Sequence, residues 1–172
     1  MKPHEDLGCF LAHAVVLEDE AATRYAELAD VMTTHHNGEV AALFTKMAGY
    51  SRMHRKEAVR HAEDHAGGLP DLKPWEFEWP DDESPESARL ESSHYLMTPY
   101  HALELALEAE RQAHRFYDRV ANSAASERIR ALAREFAAEE AGHAAALEKW
   151  IGQYPEPPEA WDEDLDPPVQ LD

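Results

Sequence analysis

Glu110-Arg-Gln-Ala-His-Arg-Phe-Tyr117 decides how this chain folds, because it has a near copy upstream in Glu18-Asp-Glu-Ala-Ala-Thr-Arg-Tyr25. Both copies read Glu, then Ala three positions on, then Tyr four further. The same shift, 92 positions from Glu18 to Glu110, pairs Ala14 with Ala106, Ala21 with Ala113 and Ala29 with Ala121. Steps of three and four keep residues on one face of an α-helix. Two helices therefore each place a carboxylate inside a stripe of small and apolar residues. A Glu on a buried stripe is unfavourable unless something pairs with it, so the sequence poses the question of what that partner is.

Around the first copy, helical spacing runs from about Phe10 to Thr34, with Leu11, Ala14, Val15, Glu18, Ala21, Tyr25, Leu28 and Met32 on one face. His35-His36-Asn37-Gly38 makes a short connection, with Asn-Gly as its turn signal. A second helix is expected from about Glu39 to His65, with Leu43, Met47, Ser51, His54, Ala58 and His61 inward, stopped by Gly67-Gly68 and Pro70. Around the second copy, Thr98-Pro99 is a helix start, an N-cap threonine followed by proline. That helix runs to about Asn122. After a tight link at Ser123–Ser126, a fourth runs from about Glu127 to Ile151, with Leu132, Phe136, Glu140, His143, Leu147 and Trp150 inward.

Residues 67–97 differ in character. Pro70, Pro74, Pro80 and Pro85 punctuate them, and Trp75, Phe77 and Trp79 alternate with Glu76 and Glu78. The alternation predicts an extended strip with an aromatic and an acidic side, lying along the outside of the helices and held down by its rings. Packing is the expected use of the two Trp residues, with ligand stacking as the alternative. Residues 153–172 form an acidic, Pro-rich tail with no Lys or Arg after Lys149, expected to be loose or docked through Trp161 and Leu165. The layout is all-α: two antiparallel helix pairs joined by a long crossover, a four-helix bundle of the ferritin-like variety over residues 1–152.

Bulk properties exclude several classes. A formal net charge of −19 argues against nucleic-acid and anionic-membrane partners. The single cysteine, Cys9, rules out a disulfide framework or a four-cysteine metal site within one chain. No apolar run reaches membrane-spanning length and the N-terminus lacks a signal-peptide core, so the expected compartment is the cytoplasm.

The repeat extends to helices two and four at a shift of 89 positions: Leu43 with Leu132, Ala48 with Ala137, His54 with His143. In helix four, Glu140-Ala-Gly-His143 puts a carboxylate and an imidazole one turn apart on one face, within reach of one ion. Taken singly, Glu18, His54, Glu110, Glu140 and His143 read better as solvated or salt-bridged helix residues than as ligands. Two inward Glu and two inward His in matching register are how a bundle core holds two iron or manganese ions. Tyr25 and Tyr117 suit groups that orient those carboxylates, with core packing as the alternative.

The chain resembles the rubrerythrin group of ferritin-like diiron proteins over about residues 10–151. The likeness rests on Glu18 with Tyr25, Glu110 with Tyr117, Leu43-Phe44 followed by Met47-Ala48 and His54, and Glu140 with His143. It implies two metals between the helix pairs: Glu18 and His54 on one, Glu110 and His143 on the other, Glu140 bridging. It also implies reaction with hydrogen peroxide or dioxygen, and a homodimer.

Two departures stand out. The counterpart of Glu140 is Ser51, so one bridging carboxylate is missing, and Glu57, Glu63 or His61 could stand in. The family's extra glutamate, one turn after the helix-three ligand, is Ala113, and the adjacent His114 could substitute. His61, His65, His94 and His101 otherwise read as surface or core histidines. With no cysteine-held iron in the chain, electrons would come from an external donor. Alternatives are binding and oxidation of ferrous iron for storage or delivery, a single-metal site, and a bundle with a decayed site acting through protein partners. The Glu110 half, being complete, is where metal is expected first.

Overall fold

The computed structural model describes residues 1–79 and 97–157. Among these residues four α-helices make up the fold: α1 (Leu7–Thr34), α2 (Gly38–His65), α3 (Pro99–Ser123) and α4 (Glu127–Ile151). Each starts on a side-chain cap. Asp6 accepts from the Cys9 N–H, Asn37 from Val40, Thr98 from His101 and Ser126 from Ile129, satisfying amide groups that have no partner inside the helix. The Asp6 cap explains why α1 begins three residues before the apolar spacing does. Gly67 and Gly68 at positive φ end α2 as expected, and the Gly68 N–H returns to the Ala62 carbonyl. The first connection differs from expectation. His36, at φ 56°, takes the left-handed position, while Asn37 caps α2 and Gly38 is already helical.

Short links make α1·α2 and α3·α4 antiparallel pairs, and the apolar core lies in two blocks. One joins the start of α1 (Phe10, Leu11, Ala14), the end of α2 (Ala58, Ala62), the end of α3 (Phe116, Tyr117, Val120) and the start of α4 (Ile129, Ala133, Phe136). The other joins the opposite ends: Tyr25, Leu28 and Met32 with Phe44, Leu103 and Leu147. Helix directions are therefore up, down, down, up, and the α2–α3 connection must travel the bundle's length, about 40 Å for helices of this size. This is the ferritin-like arrangement. Between the blocks, Glu18, Ser51, Glu110 and Glu140 are buried as a polar layer.

The crossover is pinned at both described ends. His13 is fully buried, flanked by Phe77, Trp79 and Phe116 at ring separations of 4.9, 4.7 and 5.8 Å. Its Nδ1 lies 2.7 Å from the Cys9 carbonyl and must donate to it, so Nε2 accepts the Glu78 N–H at 3.0 Å. At the other end the His35 Nδ1–H donates to the Met97 carbonyl.

The expected aromatic strip is corrected at Trp75, which is 80% exposed. Pro74 and a Glu76 carboxylate accepting the Lys73 N–H close a 3-10 turn over Pro74–Glu76, and that turn breaks the alternation. Of the three rings of the strip, Phe77 and Trp79 are the ones that pack against His13. His94, Pro80, Pro85 and the tail contacts of Trp161 and Leu165 lie outside the described residues. Among the described residues, no helix is long and apolar enough to cross a membrane.

Candidate metal centre

Each helix contributes to the polar layer one or more side chains already aimed inward by its stripe. Glu18 on α1, His54 on α2 and Glu140 on α4 bring one ligand atom each to within 4.8 Å of one another. Glu110 on α3 does the same with Glu140 and His143. Glu140 is thus common to both groups. The His54 and His143 rings are parallel within 12°, their centroids 5.5 Å apart. His143 Nδ1 faces Glu140 at 3.4 Å and Glu110 at 3.7 Å, and His54 Nδ1 faces Glu18 at 3.8 Å.

Burial and charge shape this layer. Glu110 is 2% exposed, and burial alone would push its carboxyl up. The polar interactions of Glu140 and His143, together with the positive charges of His143 and buried Arg24, outweigh that and hold it below the usual carboxylate range. Tyr25, reaching across from α1, donates its hydroxyl to Glu110 Oε1. Arg24 lies over the Tyr25 ring, 4.9 Å from its centroid. His54 is lowered, first by burial and then by repulsion from His143, with Glu57 and Glu110 opposing. Its Nδ1 is shut off from solvent and makes no hydrogen bond.

The structure sorts the remaining candidates. Ser51 is buried one turn before His54, where its small side chain leaves the first half a carboxylate short. Tyr117 is fully buried against Phe10 and Phe136. His114 stands apart from the groups of potential ligands: its Nδ1 is 2.8 Å from the Ala137 carbonyl, a contact that ties α3 to α4. His61 is likewise elsewhere, lining a cavity of about 320 Å³ with His65, Glu127 and Arg128 beside the start of α4. Glu63 is exposed.

Glu57, by contrast, joins a third group with His54 and Glu139. Glu139 escaped the sequence reading because it adjoins Glu140 and so sits off the inward stripe. Burial, then the charges of Glu57 and Glu135, raise its carboxyl to about 7.

A protein-family model for rubrerythrin matches residues 101–166. The chain is also 41% identical to an uncharacterized conserved protein from Magnetospirillum magnetotacticum MS-1, whose crystal structure at 2.00 Å superposes with a TM-score of 0.70 over 87% of this chain and 95% of that one. The chain belongs to the rubrerythrin family. None of the curated proteins matches it. Membership accounts for the ferritin-like bundle and for a core that gathers carboxylates and imidazoles at its centre, the arrangement of a diiron-type protein. As a rubrerythrin relative, this chain carries the Tyr-backed Glu110, Glu140 and His143 in full, and has Ser51 where the repeat calls for a second bridging glutamate.

Proposed function

We propose that the protein is a redox protein holding two iron or manganese ions in the polar layer, reacting with hydrogen peroxide or dioxygen and drawing electrons from an external donor. The observation that carries this reading is the sharing of Glu140 between two ligand groups whose histidines lie parallel across the core. The donor set fits: carboxylate oxygens with two imidazoles suit iron and manganese. Three buried carboxylates, Glu18, Glu110 and Glu140, make the layer attractive to cations, as the buried Arg24 acting on Glu110 already illustrates. The solvent-excluded Nδ1 of His54, without a hydrogen bond, fits a nitrogen reserved for coordination.

Glu18 and His54 would hold one ion, Glu110 and His143 the other, with Glu140 between them. Bound there, the metals supply one-electron redox chemistry and Lewis acidity. Tyr25 fixes the Glu110 carboxylate by its hydroxyl, and the apolar blocks on either side restrict water to the polar layer. Glu110, held ionised, is ready to ligate without first releasing a proton. Cys9 has no part in this: burial, then Asp6, push its thiol up to about 11, which keeps it unreactive.

Anaerobic loading with ferrous iron, metal counting per chain and stopped-flow mixing with peroxide test the proposal. Two irons per chain with rapid oxidation by peroxide are expected, and Glu140→Ala should lose tight binding of both. Retention of full occupancy by that variant would falsify the assignment. Uptake of many irons per chain would instead favour iron handling, and no tight binding at any ratio would favour a bundle acting through protein partners.

A further inference from the structure

His54 has carboxylates on both edges of its ring. Nδ1 faces Glu18 at 3.8 Å, while Nε2 faces Glu139 of α4 at 3.6 Å. Adjacent residues on a helix point about 100° apart. Glu140 therefore joins the inner group while Glu139 reaches the outer edge of the same imidazole, where Glu57 adds a second carboxylate. A neutral imidazole carries one N–H, and an acceptor on one nitrogen decides which. The Glu139 contact stands about half an ångström outside hydrogen-bonding distance, a gap that a small movement of a long side chain closes.

We propose that Glu139 is a positioning residue for His54: its carboxylate accepts the Nε2–H, fixes the ring and its tautomer, and leaves the Nδ1 lone pair turned toward Glu18 and Glu140. The first half needs this device because Ser51 provides no carboxylate beside the ring. Histidines that bind metals commonly donate their other N–H to a carboxylate. This inference rests on the reading of His54 as a ligand, but its primary test uses no metal.

Ring nitrogen NMR on the ¹⁵N-labelled, metal-free full chain, in mildly alkaline buffer, reports the tautomer directly. Wild type is expected to show His54 protonated at Nε2, and Glu139→Ala a mixture of tautomers. Glu139→Gln, which keeps an acceptor oxygen in nearly the same shape, should retain the wild-type tautomer. In Mn(II) titrations counted by electron paramagnetic resonance, Glu139→Ala should weaken one of the two equivalents by about 10–100-fold and leave the other unchanged, with Glu139→Gln closer to wild type.

A wild-type His54 protonated at Nδ1, or a tautomer unmoved in Glu139→Ala, overturns the proposal. So does the loss of one Mn(II) with the tautomer unchanged, which would make Glu139 itself a ligand. If Glu139→Ala does not fold, the wild-type tautomer and the Glu139→Gln titration decide. If wild type binds no Mn(II), the reading of the metal centre fails, while the NMR result still decides whether Glu139 sets the ring.

Discussion

At the scale of single residues, Ser51 separates the two halves of the site. It is 4% exposed, one turn from His54, at the position that mirrors Glu140. Ser51→Glu would restore the second bridging carboxylate, with opposite effects in the two states. Without metal, a fourth buried carboxylate joins three already present, and the variant should lose at least about 2 kcal/mol of stability in urea unfolding. With metal, the added ligand should tighten the weaker equivalent by at least about tenfold, read by competitive titration. A variant that is no less stable without metal would show that position 51 does not face the polar layer.

At the scale of elements, the crossover strap depends on one neutral histidine. His13 donates to the Cys9 carbonyl and accepts from the Glu78 N–H, so a second ring proton would confront an N–H donor in an aromatic cage. Burial lowers its folded-state pKa below the ordinary 6.5. The unfolded chain then binds the proton first. His13 thus contributes stability that is complete above about pH 6.5 and is lost as pH falls below it. Thermal melts of the metal-free protein between roughly pH 7.5 and 5 should show a falling Tm in wild type and a shallower fall in His13→Gln. The remaining slope belongs partly to His54, which burial also lowers. Identical slopes would mean that the strap is indifferent to the protonation of His13.

At the scale of the whole molecule, two apolar blocks are separated by a charged layer, in a chain whose net charge is already −19. Cations placed in that layer act on the entire fold, because they bind the native state and find no preformed site in the unfolded chain. At metal concentrations 100-fold above Kd, the gain is about 2.7 kcal/mol for each ion bound. For a protein of this size that corresponds to a Tm rise of roughly 5–10 °C. Differential scanning calorimetry with and without Mn(II) should show this rise in wild type and its absence in Glu140→Ala. A rise of equal size in that variant would place the stabilising cation on the acidic surface.

What the sequence determined by itself is whatever is local or periodic. Thr98-Pro99 and Ser126 mark helix starts because a cap bonds three residues ahead, and Gly67-Gly68 marks a stop because left-handed backbone favours glycine. The inward stripes of Glu18 and Glu110, and the one-turn spacing of Glu140 and His143, follow from helical geometry and were legible for that reason. Trp75 was misplaced because an alternating pattern says nothing of a 3-10 turn closed by a glutamate two positions after a proline. Only the tertiary structure decided that Tyr25 reaches Glu110 on the opposite helix pair, that His114 is taken up by the Ala137 carbonyl, and that Glu139 comes to the outer edge of His54. Periodicity tells which face of a helix is buried. Which residues meet across that face depends on the rotation and axial offset of packed helices, and those are set by the fit of the two apolar blocks together.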